Sequence, residues 1–327
     1  MSDTGASILA DLTSSGTGSF PYVEQDWSFL SGSLNSQIAF SRASLAWYFD
    51  STGLLTTVPH NLLPNSENLP AWVLNNATIT ANVIANPLDG AITADKVVEA
   101  ATTASHYAGY SLTGMTSGVV HTLSVYAKSA ERSKLGIAMS SGATGAAMFD
   151  LSAGTVTQDG TTPFTSVSIT PVGNGWYRCT GTFTSTATTI NFQCRTILSG
   201  TSSFQSYLGD GTSGLYLTAG QMEQHSSART YNPTVASAYH GPAFEYGYHA
   251  ASGAWVPQGL RVEEARTNLC FPSGDLTGTG WSTANLGTRT ANAAVAPDGT
   301  TTATLLSDTS TSLAQQTDRV MTIPGTD

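Results

Sequence analysis

A set of landmarks occurs twice in this sequence, in the same order. Asn61-Leu62-Leu63-Pro64-Asn65-Ser66-Glu67, Trp72, Thr80-Ala81-Asn82 and Asp89-Gly90 recur as Asn268-Leu269-Cys270-Phe271-Pro272-Ser273, Trp281, Thr290-Ala291-Asn292 and Asp298-Gly299. The offset is 207 residues at the Asn, 209 at the Trp and the Asp-Gly, and 210 at Thr-Ala-Asn. A period of this length is too long for a solenoid and indicates two related domains. The second copy would begin at residue 268 and run to 327. The first would need about three times that length, so the second is read as the start of a module, truncated or completed by a neighbour.

Between the copies the chain reads as strands. His121 to Lys128 alternates, with Leu123, Val125 and Ala127 on one face and Thr122, Ser124, Tyr126 and Lys128 on the other. Leu135, Ile137 and Met139 alternate likewise, and Ala147-Met148-Phe149-Asp150-Leu151 leads into an Ala-Gly turn. The best strands are Trp176 to Thr184 and Thr189 to Leu198. No long 3.6-residue periodicity appears. Short strands separated by Gly, Asn and Ser turns predict an all-β fold of jelly-roll sandwiches.

Composition narrows the function classes. Only 10% of residues are charged, against roughly 25% in an average protein. Twelve Lys and Arg face 22 Asp and Glu, a net charge of −10, so no basic surplus exists to neutralise phosphates and nucleic acid is excluded as a partner. No apolar stretch approaches the roughly 20 residues of a membrane helix. Met1-Ser2-Asp3-Thr4-Gly5 has neither a basic nor an apolar leader region, which predicts synthesis in a cytoplasm without a signal peptide. Three cysteines are too few for a disulfide scaffold, and the six histidines have no metal-ligand spacing. No GxSxG, P-loop, HExxH or CxxC pattern occurs. Glu263 and Glu264, being adjacent on an extended chain, point to opposite faces and cannot flank one glycosidic bond. The expectation is therefore a protein that is not an enzyme.

Phe40-Ser41-Arg42-Ala43-Ser44, the segment Gly259-Leu260-Arg261-Val262-Glu263-Glu264-Ala265-Arg266-Thr267-Asn268-Leu269 and the Asn-Leu-Leu-Pro-Asn-Ser-Glu opening resemble tailed-bacteriophage virion proteins. Gly175-Trp176-Tyr177-Arg178 and Tyr207-Leu208-Gly209-Asp210-Gly211-Thr212-Ser213-Gly214-Leu215-Tyr216 resemble the jelly-roll modules of those proteins, which are similar to carbohydrate-binding modules. In the family the Phe-Ser-Arg-Ala-Ser and Gly-Leu-Arg-Val-Glu-Glu segments lie close together. Here a module stands between them. The resulting organisation is an N-terminal docking arm over 1–38, a split connector of 39–60 plus 236–267, a jelly roll over 61–235 and a related module beginning at 268.

The resemblance implies a fibre or spike on the virion surface that binds host polysaccharide, and the alternative is an adaptor or spacer of tail, baseplate or capsid without a glycan site. It also implies other virion proteins as partners of the arm, through Phe20, Tyr22, Trp27 and Phe29, and a homo-oligomer, with a trimer as one form. For the glycan, Trp176 to Thr184 and Thr189 to Leu198 are read as a hairpin turning at Thr186-Ala187. That register places Tyr177, Cys179, Phe183, Ile190, Phe192 and Cys194 on a core face. Trp176, Arg178, Asn191, Gln193 and Arg195 fall on the other face, where an aromatic ring and amide and guanidinium groups suit a sugar. The competing reading packs Trp176 under a loop. The same register would allow a Cys179–Cys194 disulfide, against two reduced core thiols. Asp89-Gly90, Asp210-Gly211 and Asp298-Gly299 read as turns, with structural Ca²⁺ as the alternative and no cofactor otherwise.

Overall fold

In the computed structural model, the described residues are 29–34, 38–143, 145–159, 164–199, 204–262, 270, 274–284, 286–308 and 316–318. They fall into two compact units. One comprises Ser41–Ala43 and Pro59–Gly241; the other comprises Ser44–Val58 and the described residues before Ser41 and from Pro242 onward.

The first unit is a sandwich of two six-stranded sheets, with every paired strand antiparallel. The front sheet runs in the order Thr155–Asp159, Gly145–Asp150, Lys134–Ser141, Thr189–Ile197, Tyr107–Thr113 and Val73–Asn75. The back sheet runs Phe164–Gly173, Trp176–Thr184, Val120–Ser129, Gly214–Glu223, Ile92–Glu99 and Ala77–Ala85. The all-β, jelly-roll-type architecture read from the sequence is the one observed.

Strand alternation sends one side of each sheet into a shared core. Leu135, Ile137, Met139, Phe149, Ile190, Phe192 and Cys194 enter it from the front, and Leu123, Val125, Cys179, Phe183, Leu215 and Leu217 from the back. Phe149, Phe183 and Phe192 are fully buried, a burial stabilising by roughly 2–3 kcal/mol each. Trp72, the landmark of the repeat, sits edge-on to Phe192 with ring centroids 5.5 Å apart.

The expected hairpin between Trp176–Thr184 and Thr189–Ile197 does not form. Trp176–Thr184 pairs with Val120–Ser129 and Phe164–Gly173, whereas Thr189–Ile197 pairs with Lys134–Ser141 and Tyr107–Thr113. A two-residue hairpin turn needs positive φ in its loop. Thr186 and Ala187 do not adopt it, and the chain crosses from back to front, Ser185 N–H donating to the Val119 carbonyl at 2.9 Å and Thr186 N–H to that of Gly142 at 2.6 Å. The hairpin forms one strand earlier. There Asn174 (φ 51°) and Gly175 (φ 76°) connect Phe164–Gly173 to Trp176–Thr184.

Ala77–Ala85 and Ile92–Glu99 carry a bulge between Thr80 and Ile84, with Asn82 at φ 55°. Asp95 reaches across to accept the Asn82 N–H at 2.9 Å and also takes the Leu69 N–H at 3.2 Å, where a short 3₁₀ turn begins. Burial pushes this carboxyl above the usual range, the two hydrogen bonds opposing it. In the other unit, Leu286–Ala294 and Ala303–Asp308 repeat the shape: the register shifts between Thr290 and Ala294, and Asn292 has φ 56°.

The other paired strands described in that unit also form two-stranded pieces. Trp47–Phe49 pairs with Leu55–Thr57, and Ala243–His249 with Ala254–Arg261. The Phe49 ring lies tilted against Trp255, with centroids 5.2 Å apart, and Arg261 Nη1 donates to the Trp47 carbonyl (3.2 Å) and to Glu245 Oε1 (3.1 Å).

Candidate functional site

Because the two best strands lie in different sheets, the five residues expected on one face are split. Trp176 and Arg178 are on the outer side of the back sheet; Asn191, Gln193 and Arg195 are on the outer side of the front sheet. Trp176 is 2% exposed and packs with Ala94, Tyr126 and Ala219 under Tyr231, so its indole is closed to a ligand. This corrects the expected sugar platform at Trp176: the chain after the last back-sheet strand folds over that face and fills it. Arg178 lies 5.5 Å from the Tyr126 ring and donates from Nη2 to Ser124 Oγ at 2.9 Å.

The outer side of the front sheet is different. Asn191, Gln193 and Arg195 project at alternate positions of Thr189–Ile197, because Ile190, Phe192 and Cys194 point into the core. Arg195 donates from Nε and Nη2 to Gln193 Oε1 at 2.9 and 2.5 Å, and from Nη1 to Ser105 Oγ at 3.3 Å. Its guanidinium lies 5.4 Å from the Tyr107 ring and 4.9 Å from the Phe204 ring. Burial pulls its pKa down from the usual arginine value, with Tyr107 opposing. Tyr107 is part-exposed and Phe204 is 44% exposed. Asn191 Oδ1 is buried with no hydrogen-bond partner among the described residues. The result is a fixed amide and guanidinium flanked by two rings.

Tyr107, Ser105 and Phe204 were missed from the sequence. Tyr107 opposes Arg195 directly in the ladder, but its strand alternates with Ala and Gly, so its apolar period is weak. Phe204 lies outside the regular strands and has no periodicity to read.

Cys179 and Cys194 do not form a disulfide with each other. Cys179 and Cys194 are buried in the core, from the back and front sheets respectively. Burial pushes the Cys194 thiol up to about 12 and the Cys179 thiol well above its ordinary value.

The Asp-Gly sites are turns in which the carboxylate accepts hydrogen bonds from the residues that follow it. Asp210 Oδ1 accepts Thr212 N–H (2.8 Å), Thr212 Oγ1–H (3.0 Å) and Ser213 N–H (2.6 Å), and Oδ2 accepts Ser213 Oγ–H at 2.5 Å. These bonds, that from the Ser213 hydroxyl foremost, hold its pKa well below the carboxylate range. Asp298 accepts Thr300 N–H and Oγ1–H, and Asp89 accepts Ala91 N–H. Among the described residues, no group of three or more His, Cys, Asp or Glu is placed to hold a metal ion. Of the expected docking-arm residues, Phe29 is half-buried with φ 53°; Phe20, Tyr22 and Trp27 lie outside the described residues, as do Glu263 and Glu264.

No family model matches the chain, and no curated protein matches its sequence. Among solved structures it is similar in part to a phage tail protein, the enzymatically active domain of tailspike protein 4 of bacteriophage CBA120. The identity is 17% and the TM-score 0.29, over 50% of this chain and 21% of that one. A likeness of this size transfers no activity or ligand. It does overturn one expectation. The sequence was read as that of a non-enzyme, and a chain it resembles is an enzymatically active domain, so the exclusion of catalysis is withdrawn.

Proposed function

We propose that the chain is a phage-type virion surface protein whose sandwich unit binds host cell-surface polysaccharide on the outer side of its front sheet. The observation that carries this reading is the Gln193–Arg195 pair held beside Tyr107 and Phe204. Sugar rings present CH faces that stack on aromatics, and hydroxyls that need paired donors and acceptors. A rigid strand supplies both kinds of contact at fixed spacing. The virion assignment rests on the sequence resemblance at Phe40-Ser41-Arg42-Ala43-Ser44 and Gly259-Leu260-Arg261. Many copies on one particle would convert weak single-site binding into firm attachment.

The second reading is an architectural spacer, favoured by the way the chain closes the outer side of the back sheet over Trp176. Retention of the full chain on immobilised bacterial surface polysaccharide separates the two. Binding that is lost in Tyr107→Ala and Gln193→Ala supports the attachment reading; no retention supports the spacer. Assaying the same incubations for new reducing ends tests for cleavage.

A further inference from the structure

Arg195 is 8% exposed, yet every acceptor it reaches among the described residues is neutral: the Gln193 amide and the Ser105 hydroxyl. A guanidinium carries five N–H groups, so two remain after these three bonds. Five carboxylates of the sandwich unit pair with other cations. Glu99 and Asp210 pair with Arg132, Glu131 with Lys96, Asp150 with Lys134 and Glu223 with Arg229. Among the described residues no carboxylate pairs with Arg195, and segments 160–163 and 200–203 contain no Asp or Glu.

Removing a cation from water without a counter-charge opposes folding. The faces of Tyr107 and Phe204 offset part of that loss but supply no full opposite charge. Such a residue is suited to an anion that arrives from outside. Arginine also fits the role better than lysine, because its planar fork meets carboxylate or sulfate oxygens with two parallel hydrogen bonds. The chain's net charge of −10 sharpens the point: its overall field repels a polyanion, so attraction must come from a local cation.

We infer that Arg195 is the anion contact of this face, and that the polysaccharide it takes carries anionic substituents, carboxylate or sulfate. This rests on the glycan reading above and narrows it.

The test uses the full chain and four probes in affinity electrophoresis: polygalacturonate, dextran sulfate, carboxyl-reduced polygalacturonate and dextran. The expected result is retardation by at least one acidic probe, weakened roughly tenfold or more in Arg195→Gln and less in Arg195→Lys. Which acidic probe retards the chain tells carboxylate from sulfate. Thermal melts of the same variants add a readout of opposite sign. Loss of an unpaired cation should leave the melting temperature of Arg195→Gln unchanged or raised, whereas a purely structural arginine would lower it and overturn the inference. Equal retardation of wild type and Arg195→Gln by the acidic probes, or preference for the neutral polymers, would also overturn it while leaving the glycan reading standing. No retardation by any probe would remove both.

Discussion

Tyr207 donates its hydroxyl to Glu99 Oε2 at 2.6 Å, inside a network that also brings Arg132 and the Asp210 N–H to the same carboxylate. Burial alone would raise the Glu99 pKa; the hydrogen bonds from Arg132, Tyr207 and Asp210 outweigh it and hold the group below the usual glutamate value. The folded pKa is thus depressed. Its contribution to stability is present above the unfolded glutamate pKa, about 4.3, and is lost as pH falls through the folded value. Urea unfolding between pH 7 and pH 3 should show an acid limb that is shallower in Glu99→Gln. An unchanged limb would exclude Glu99 as its source.

Removing the cation of that network should be worse than removing the anion. Arg132→Met leaves Glu99 buried without its main partner, a loss of about 3–5 kcal/mol. Equilibrium denaturation of the two variants side by side gives the comparison.

Gly53 has φ 82°, and a Cβ there would lie 2.2 Å from Trp255 Nε1. Gly53→Ala therefore meets both a backbone penalty of roughly 1–2 kcal/mol and a steric clash. A drop in melting temperature is expected, partly recovered in the double variant Gly53→Ala/Trp255→Ala. Additive losses would show that the two positions are not in contact.

Trp176→Ala should behave as a core truncation, destabilising by about 3–5 kcal/mol, because the indole is 2% exposed. At a temperature where the variant stays folded, its polysaccharide retention should equal that of wild type. A binding loss without a stability loss would restore the ring as a ligand platform.

Thiol titration of the Cys270→Ser variant in denaturant should count two thiols, Cys179 and Cys194, both silent in the native protein. Fewer than two in denaturant would reveal a disulfide between them.

The layers of the sandwich were legible because a strand's period of two survives in the sequence: Leu123, Val125, Ile137, Phe183 and Phe192 all enter the core as their alternation requires. The partner of each strand was not. Alternation is the same whichever sheet a strand joins, and the information lay in turn chemistry instead. Asn174-Gly175 carries a hairpin signal and Thr186-Ala187 does not. For the candidate site, Gln193 and Arg195 could be placed outward from period alone. Their setting beside Tyr107 and Phe204 depends on cross-strand register and on a loop, which no local pattern encodes.

The crossing of the chain from one sheet to the other sets the timing of assembly. Gly214–Glu223 is an interior strand of the back sheet, seated between Val120–Ser129 and Ile92–Glu99. During synthesis the earlier strands of that sheet therefore wait, with their central gap open, until residue 223 leaves the ribosome. Closing loops of this length makes folding slow, and the waiting edges are open to pairing with other chains. The last long strand of the sandwich thus acts as a keystone, and ribosome stalling or premature termination shortly before it would yield insoluble product rather than a smaller working module.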